Sequence, residues 1–237
     1  MVDLIKEEFT NTNTNFVTPS KYYSNIYKEL SNIDIDFIPH AIDISRLETN
    51  KTKEKIYEEM KIPKDKELIL LPSRLEPIQK QPMLFMKAFA MQKEEIKNKY
   101  KVICTGADKQ YEQFKQEIID FCTANNIDIS IERFEEMSDG YKAADIVMLP
   151  SKSESFGYSA LESLSLGIVT ILNEIPTYME IVEDAINYYS FSNTVESLSD
   201  VLKEVLEQDH SRKKQSKKWQ EKYSIQTFGK RYLNLKK

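Results

Sequence analysis

Glycine is scarce in this chain, since the 237 residues include only five: Gly106, Gly140, Gly157, Gly167 and Gly229. The phosphate-binding loops of dinucleotide-binding folds and of P-loop NTPases need two or three glycines within about six residues, because the backbone must approach the phosphates closely. No glycines of this chain have that spacing. The sequence therefore excludes ordinary nicotinamide-dependent dehydrogenases and P-loop NTPases.

Histidine and cysteine are also rare, with two residues of each type. Neither His40 nor His210 has a second histidine or a cysteine near it in the sequence. The chain therefore has little material for a histidine metal site or a Ser-His-Asp triad. Cys104 falls at the end of a predicted strand and Cys122 inside a predicted helix. We expect both to be buried free thiols, as in proteins of a reducing compartment.

Long apolar runs and an excess of basic residues are missing as well. No run approaches the roughly 20 apolar residues that a membrane-spanning helix needs, and the N-terminal residues carry acids where a signal peptide carries bases. The formal net charge is −5. This balance argues against nucleic acid as a partner, because affinity for a phosphate backbone depends on clustered Lys and Arg. We expect a soluble, cytoplasmic protein.

The chain does contain a regular alternation of short apolar runs and helical patterns from residue 67 onward. Six runs predict strands, at 67–71, 101–105, 127–131, 145–150, 168–172 and 185–189. Helical spacing predicts helices at 47–60, 82–93, 110–125, 137–144, 160–166 and 178–182, and helices again from residue 195 to the end. The alternation predicts an α/β fold with a doubly wound, Rossmann-like parallel sheet.

Changes in the pattern along the chain predict three units. Residues 1–45 hold a polar tract, two short strands at 16–19 and 33–39, and a helix at 20–30, which are too few elements to close a core. We interpret them as the end of a preceding domain and a hinge. Residues 46–205 contain the regular alternation and form the main domain, and residues 206–237 form a basic helical tail.

The turn from strand to helix at residues 153–162 is the strongest candidate for a binding site. Glu154 and Glu162 lie eight residues apart, with Gly157 between them. Ligands of an open parallel sheet collect at the carboxyl ends of the strands, and a helix N-terminus offers free backbone N–H groups to an anion. Glu162 follows the helix start, where a carboxylate can accept two hydrogen bonds from a vicinal diol such as ribose.

A second loop at the same edge of the sheet carries two bases. Arg74 and Lys80 follow the predicted strand 67–71 and precede a predicted helix. A guanidinium can bind two phosphate oxygens at once, and an ammonium acts as a point charge. The two loops together would hold a diphosphate from both sides.

Three motifs resemble the donor-binding half of family 4 glycosyltransferases, which have the GT-B fold. They are Ser73-Arg-Leu-Glu-Pro-Ile-Gln-Lys80, Ala143-Ala-Asp-Ile-Val-Met-Leu-Pro-Ser151 and Glu154-Ser-Phe-Gly-Tyr-Ser-Ala-Leu-Glu162. The segments 16–20 and 38–43 resemble the last elements of the family's first domain and the hinge that follows it. The resemblance covers about residues 16–205.

The resemblance implies a retaining hexosyltransferase that moves a sugar from a nucleotide-diphosphate sugar to a glycan, lipid or protein acceptor, with no metal and no other cofactor. Arg74 and Lys80 would bind the diphosphate, and Glu154 the hydroxyls of the donor sugar; these three are the catalytic candidates. Glu162 would bind the ribose. The implied donor-binding residues are Arg74, Lys80, Arg133, Phe134, Glu154, Ser155, Phe156, Gly157, Tyr158 and Glu162. The nucleobase would lie near Arg133 and Phe134.

The chain departs from the family pattern in several places. Gln81-Pro82 stands where the family often has a glycine, and no glycine occurs in 173–176, where the family often has a turn close to the donor. A usual member also begins with a whole acceptor-binding domain. We therefore expect a fragment, weak or inactive by itself, or a chain completed by a partner chain. The alternative is a non-catalytic partner subunit of a two-chain glycosyltransferase.

Two further features have competing interpretations. Asp34-Ile-Asp36 resembles the metal-binding Asp-x-Asp of some sugar transferases, but we favour carboxylates that simply point outward from a strand. In residues 211–237 ten bases face one acid, Glu221. With the aromatic residues Trp219, Tyr223, Phe228 and Tyr232, this tail would suit contact with an acidic membrane surface. We favour a solvated helix whose aromatic side chains pack on the domain.

Overall fold

The computed structural model describes residues 15–106 and 109–235, which form two parallel sheets. The small sheet pairs β1 (Val17–Thr18) with β2 (Asp36–Phe37). The large sheet comprises β3 (Glu67–Leu71), β4 (Tyr100–Cys104), β5 (Ile129–Ile131), β6 (Ile146–Leu149), β7 (Val169–Asn173) and β8 (Tyr188–Phe191). All five of its strand pairs are parallel. The predicted α/β class and parallel sheet are confirmed.

Helices follow most strands of the large sheet, as the alternating sequence pattern predicts. The α-helices are Lys21–Ser31, Lys53–Glu59, Pro82–Ala90, Glu94–Lys97, Glu112–Ala124, Met137–Ala143, Tyr158–Ser165, Pro176–Val182, Val195–Val205, Lys217–Lys222 and Ile225–Asn234. Two 3₁₀ turns span Ile44–Leu47 and Lys109–Tyr111. None of these helices combines the length and apolar character that spanning a bilayer requires.

The large sheet has the spatial order β5-β4-β3-β6-β7-β8. The chain therefore adds strands in one direction from β3 to β5 and in the other direction from β6 to β8. The connections diverge between β3 and β6, and a crevice at the carboxyl ends of two such strands is where doubly wound sheets bind ligands. The loops after β3 and β6 are the two loops that carry the predicted site residues.

The last strand lies three residues further along the chain than the predicted 185–189. Asp184 and Asn187 have positive φ values of 65° and 64°, so the chain turns there instead of extending. Gln215 holds this turn by accepting from Ile186 N–H at 2.9 Å and donating to Ile186 O at 2.8 Å. Because these bonds join residues far apart in the chain, the local sequence pattern does not reveal them, and β8 begins only at Tyr188.

The charged helix predicted at 47–60 is shorter in the structure. Residues Ile44–Leu47 form a 3₁₀ turn, and Thr52 begins the helix Lys53–Glu59 by accepting from Lys55 N–H at 3.3 Å. A Thr at the N-cap satisfies one of the free N–H groups of the first turn. Residues 48–51 are therefore not helical, although the sequence pattern predicts a helix there.

The core has two layers, one on each face of the large sheet. Alternation along β3 sends Leu68 and Leu70 to one layer and Ile69 and Leu71 to the other. All four are at most 1% exposed. A strand buried on both faces explains the continuous apolar run of the sequence.

Both cysteines are free and buried, as predicted. Cys104 ends β4 and Cys122 lies in the helix Glu112–Ala124, in the same core layer. Burial raises the pKa of the Cys122 thiol to about 12, because a thiolate is costly in an apolar environment. Both thiols belong to the packing of the core.

The segment before the main domain packs on the helix Pro176–Val182. Ser20 caps the predicted first helix, and Lys21 and Tyr22 donate their backbone N–H groups to the Glu180 carboxylate at 2.9 and 2.6 Å. The predicted strands at 16–19 and 33–39 are present as the shorter β1 and β2. Most of the polar tract lies outside the described residues, and the assignment of residues 1–45 to a preceding domain stays a prediction.

The tail is not helical throughout, because residues 209–216 belong to no helix or strand. Arg212 donates to Tyr141 O at 2.5 Å and Ala144 O at 3.2 Å, and Lys213 N–H donates to Gly167 O at 2.9 Å. These bonds satisfy carbonyls at the C-terminal ends of two helices. The prediction of helices from residue 195 to the end is therefore wrong for 209–216.

Two of the four tail aromatics belong to the core. Trp219 is 1% and Tyr223 2% exposed, and the Trp219 indole donates to Ile181 O at 2.9 Å. The favoured interpretation, packing on the domain, is confirmed for these two residues. The Phe228 ring centroid lies 6.3 Å from that of His40, and Tyr232 is 42% exposed. The helix Ile225–Asn234 is the part of the tail with an exposed aromatic and apolar surface.

Candidate functional site

Hydrogen bonds join the loop after β3 to the loop after β6. Lys152 N–H donates to Gln79 O at 2.7 Å, and the Gln79 amide donates to Ser153 O at 2.9 Å. Ser159 Oγ donates to Pro72 O at 3.2 Å. The two loops that the sequence predicts to hold a diphosphate therefore form one continuous wall.

The loop after β3 folds around the carboxylate of Glu76. This carboxylate accepts from the backbone N–H groups of Ile78 and Lys80 at 3.1 and 3.2 Å, and also from that of Gln79. Partial burial alone would raise the pKa of Glu76, but the three donors and the nearby Arg74 hold it below its usual value. The loop is thus ordered by its own residues, and this order sets the positions of Arg74 and Lys80.

Gly106 holds the same loop from the side of β4. A Cβ at this position would lie 2.3 Å from Leu75 N and 2.6 Å from the Arg74 carbonyl carbon. Only glycine allows the two backbones to approach so closely. Leu75 is 2% exposed, so the loop is anchored in the core directly after Arg74.

Gly157 forms the turn that begins the helix Tyr158–Ser165. Its φ of +107° favours glycine, and a Cβ there would lie 2.6 Å from Tyr178 Cε1. Glycine is therefore required both for the turn and for contact with the Tyr178 ring. This contact places a helix from after β7 against the start of the helix after β6.

Lys80 and Glu154 form an ion pair between the two loops. Lys80 Nζ lies 2.5 Å from Glu154 Oε1, and each side chain is 14% exposed. Tyr178 Oη donates to the same oxygen at 3.3 Å. Burial, followed by the charge of Glu154, raises the pKa of Tyr178 well above its usual value, so the phenol keeps the proton that it donates. Lys80, the predicted diphosphate contact, is therefore paired with Glu154, the predicted sugar contact.

A cavity of about 340 Å³ opens at the switch point of the sheet. Four of the predicted donor-binding residues line it, namely Arg74, Arg133, Phe134 and Glu162. They come from two separate loops, those after β3 and β5, and from the helix Tyr158–Ser165. Basic groups and a carboxylate around one crevice suit a ligand that carries both phosphate and hydroxyl groups.

Glu162 is oriented by a buried tyrosine. Tyr141 Oη donates to Glu162 Oε2 at 2.6 Å, and Tyr141 is 1% exposed. Burial, followed by the charge of Glu162, raises the pKa of Tyr141 well above its usual value. The hydroxyl therefore stays a donor, and it leaves Glu162 Oε1 to a ligand.

Phe134, the predicted neighbour of the nucleobase, has little exposed surface on which a base could stack. It is 9% exposed and belongs to the core. A Cβ at Gly140 would lie 3.0 Å from the Phe134 ring, so the ring packs tightly on the helix Met137–Ala143. Phe134 lines the cavity beside the exposed Arg133.

A second cavity, of about 720 Å³, shares Met137 and Glu162 with the first. The predicted residue Tyr158 lines it together with His40 from the preceding segment. The His40 ring stacks on the Tyr158 ring with 5.2 Å between their centroids. It also meets the Phe156 ring edge-on, with 5.1 Å between the centroids. Burial lowers the pKa of His40 below its usual value. The predicted hinge segment therefore contacts the predicted donor loop.

The structure brings the predicted residues together in two groups. Arg74, Arg133, Phe134 and Glu162 share the first cavity, whereas Lys80 and Glu154 pair with each other and do not line it. Ser155 is exposed, and Phe156 is 5% exposed with its ring in the core, so only its backbone can face a ligand. No distance in the structure tests the assigned roles, which stay predictions.

Sequence reasoning missed the two tyrosines that hold the two glutamates. Tyr141 and Tyr178 each lie in a helix other than the one that follows the donor loop. A tyrosine in a short helix is read from the sequence as a packing residue, because no neighbouring residue indicates that its hydroxyl binds a carboxylate elsewhere in the chain. Only the packing of helices on the sheet brings each hydroxyl to its carboxylate.

The residues with metal-binding side chains are dispersed. In residues 15–106 and 109–235, no three His, Cys, Asp or Glu side chains are grouped as a metal site would need. Asp34 instead pairs with Lys28 at 2.6 Å on the surface, and Asp36 is an exposed residue of β2. The favoured interpretation of Asp34-Ile-Asp36 agrees with this geometry. The expectation that the reaction needs no metal stays a prediction.

The sequence matches known proteins over most of this domain. A family model described as "Glycosyl transferases group 1" matches residues 52–222. D-inositol 3-phosphate glycosyltransferase of Thermobispora bispora is 29% identical over 115 residues, a match that covers 45% of this chain and 27% of that protein.

Solved structures show the same fold. A glycosyltransferase from Rickettsia africae superimposes with a TM-score of 0.78 at 19% identity, covering 94% of this chain and 62% of that chain. HepE of Anabaena in complex with UDP-glucose superimposes with a TM-score of 0.77 at 14% identity, covering 98% of this chain and 66% of that chain. The chain thus spans about a quarter of the curated relative and under two thirds of the Rickettsia chain.

Proposed function

This chain belongs to the group 1 glycosyl transferases, and from that premise we propose that it binds the donor of a retaining sugar transfer. The donor is a nucleotide-diphosphate sugar, and the chain is the donor-binding half of a GT-B enzyme. The acceptor is a glycan, lipid or protein bound by another domain, which either precedes this one or belongs to a partner chain.

The observation that carries the proposal is the grouping of Arg74 and Glu162 in one cavity at the switch point of the sheet. The guanidinium is suited to the diphosphate and the carboxylate to the ribose diol. UDP-glucose bound to HepE, a neighbour of the same fold, supports a nucleoside diphosphate as the ligand. Arg133 and Phe134 would border the nucleobase.

The residues of this chain would act mainly on the leaving group. Breaking the bond between sugar and diphosphate leaves positive charge on the sugar and negative charge on the diphosphate. Arg74, Lys80 and the backbone N–H groups near Gly157 would stabilise that negative charge, and fixed donors of this kind are often the largest catalytic contribution. Glu154 would hold the donor sugar through its hydroxyls.

The proposal is tested by a thermal-shift panel of UDP-, GDP-, ADP- and dTDP-sugars on the full chain. A ligand that binds only the folded state must raise its stability. Calorimetry on the best ligand follows, with Arg74→Ala and Glu162→Ala and with the exposed Glu204→Ala as the control. We expect each site variant to lose about 1.5 to 3 kcal/mol of binding free energy and the control to lose none.

The same experiments separate the proposal from the non-catalytic alternative. A partner subunit that has lost the reaction would show no saturable nucleotide binding and would form a stable complex with a chain that carries the acceptor domain. Equal affinity of wild type and both site variants would contradict the residue assignments while leaving nucleotide binding intact.

The location at the cytoplasmic face of a membrane is a further part of the proposal. Because Trp219 and Tyr223 are buried, contact would involve the helix Ile225–Asn234, where Leu233 is 67% exposed beside Lys230 and Arg231. Apolar and basic side chains on one helix suit an anionic lipid surface. Co-sedimentation with anionic vesicles should fall when Leu233 is replaced by Ser, and equal pelleting would contradict this contact.

A further inference from the structure

We propose that Tyr178 is a positioning residue of the sugar-binding side of the site: its hydroxyl fixes Glu154 so that the free carboxylate oxygen meets the donor sugar. The inference rests on the proposed function, because it assumes that Glu154 contacts the sugar. Tyr178 lies outside all three motifs of the family resemblance. It would affect the binding of the sugar part of the donor and not that of the nucleotide part.

Both bonds to Glu154 use the same oxygen. Lys80 Nζ and Tyr178 Oη lie 2.5 and 3.3 Å from Oε1. Within the part of the chain that the structure describes, Oε2 has no hydrogen-bond partner. A carboxylate held at one oxygen by two donors presents the other oxygen in a defined direction, and a sugar hydroxyl is a matching donor.

Tyr178 is the rigid one of the two donors. It is 1% exposed, and its ring packs against the backbone of Gly157. Lys80 instead has a flexible four-carbon stem that ends in a point charge. Of the two donors to Glu154, Tyr178 is therefore the one whose position the fold determines.

Binding of the donor would increase the difference between Tyr178 and Lys80 as partners of Glu154. A diphosphate that attracts Lys80 weakens the ion pair with Glu154, since one ammonium then serves two acceptors. Tyr178 is not a cation and has no such competition, so it continues to hold Glu154 when the donor is bound. Its hydroxyl should therefore affect a ligand that carries the sugar and leave one without the sugar unaffected.

Tyr141 offers a matched control on the other side of the site. It is equally buried and donates to Glu162, the predicted ribose contact, at 2.6 Å. Replacing either tyrosine by phenylalanine removes one buried hydroxyl from a helix that packs on the sheet. A general loss of stability would affect the two variants alike, whereas the two proposed roles predict different binding patterns.

The test is calorimetry of the full chain with UDP and UDP-glucose, or with the GDP, ADP or dTDP pair if the panel selects that base. In Tyr178→Phe we expect unchanged affinity for the nucleoside diphosphate and about tenfold weaker binding of the nucleotide sugar, the loss of one hydrogen bond to a charged group. In Tyr141→Phe we expect both ligands to weaken together. Thermal melts of the two variants check that both fold.

The outcomes distinguish this inference from the function on which it rests. Tyr178→Phe that weakens both ligands equally, or neither, overturns the positioning role while nucleotide binding by wild type stands. Wild-type protein that binds none of the four nucleoside diphosphates overturns the proposed function itself. Glu154→Gln provides the second variant, and a sugar-selective loss like that of Tyr178→Phe supports a shared role for the two residues.

Discussion

Lys80 Nζ and Glu154 Oε1 lie 2.5 Å apart across the two loops of the site, with 14% of each side chain exposed. A pair this well shielded has lost most of its hydration, so its stability depends on the attraction between the partners. The pair therefore contributes to folding as well as to the proposed binding of the donor.

Removal of one partner should be costly. In Lys80→Met, Glu154 would keep a shielded charge without its counter-ion, and we expect a loss of about 2 to 4 kcal/mol of unfolding free energy. The double variant Lys80→Met/Glu154→Gln should lose less than the sum of the two single variants. Urea unfolding of all four proteins measures this coupling, and additive losses would show that the pair contributes nothing.

Gly157 should tolerate no side chain. Gly157→Ala would strain a backbone at φ +107° and force a Cβ to within 2.6 Å of the Tyr178 ring, so we expect a loss of at least about 2 kcal/mol. Gly229→Ala is the control, because a Cβ there meets no atom within 4 Å and alanine favours a helix by about 0.5–1 kcal/mol. Urea unfolding that ranks the two variants in the opposite order would contradict this account.

Gln81 should be improved by glycine. It has φ +47° and ψ +44°, directly before Pro82, and its buried Oε1 has no hydrogen-bond partner among the described residues. A side chain in the left-handed region costs about 1–2 kcal/mol. We expect Gln81→Gly to raise the free energy of unfolding by about 1 kcal/mol and Gln81→Ala to give no such gain. An equal gain from alanine would mean that the backbone is not strained.

Asp139 should make stability depend on pH. Burial opposes its ionisation, but Lys51 Nζ at 2.8 Å and Thr49 Oγ1 at 2.6 Å hold the pKa of Asp139 below its usual value. A lowered pKa gives stability that is complete above the unfolded value of about 3.9 and is lost as the pH falls through the folded pKa.

Asp139→Asn should therefore cost about 1 kcal/mol at pH 7, since Lys51 is partly exposed and the pair is screened. The difference from wild type should persist down to about pH 4 and shrink below it. Urea unfolding between pH 7 and pH 3 measures this, with the exposed Asp65→Asn as the control. A difference that stays constant to pH 3 would contradict the assignment.

The departure from the family at Gln81 shows how sequence and structure complement each other. The sequence shows only that Gln81-Pro82 stands where a glycine is frequent. The structure shows that the position needs a positive φ, which a glycine adopts without cost. The loop keeps its shape here because Glu76 binds three of its N–H groups and because Gln79 bonds to the neighbouring loop.

The sequence by itself determined the sheet, the order of its elements and the two loops of the site, since strand and helix periodicity and the residues of turns are local properties. It also indicated the family, which the match over residues 52–222 confirms. Only the tertiary structure decided which residues meet. It places the buried tyrosines on Glu154 and Glu162, binds the non-helical segment 209–216 to the ends of two helices, and shifts β8. These contacts join residues that lie far apart in the chain, so the periodicity and spacing of the sequence cannot predict them.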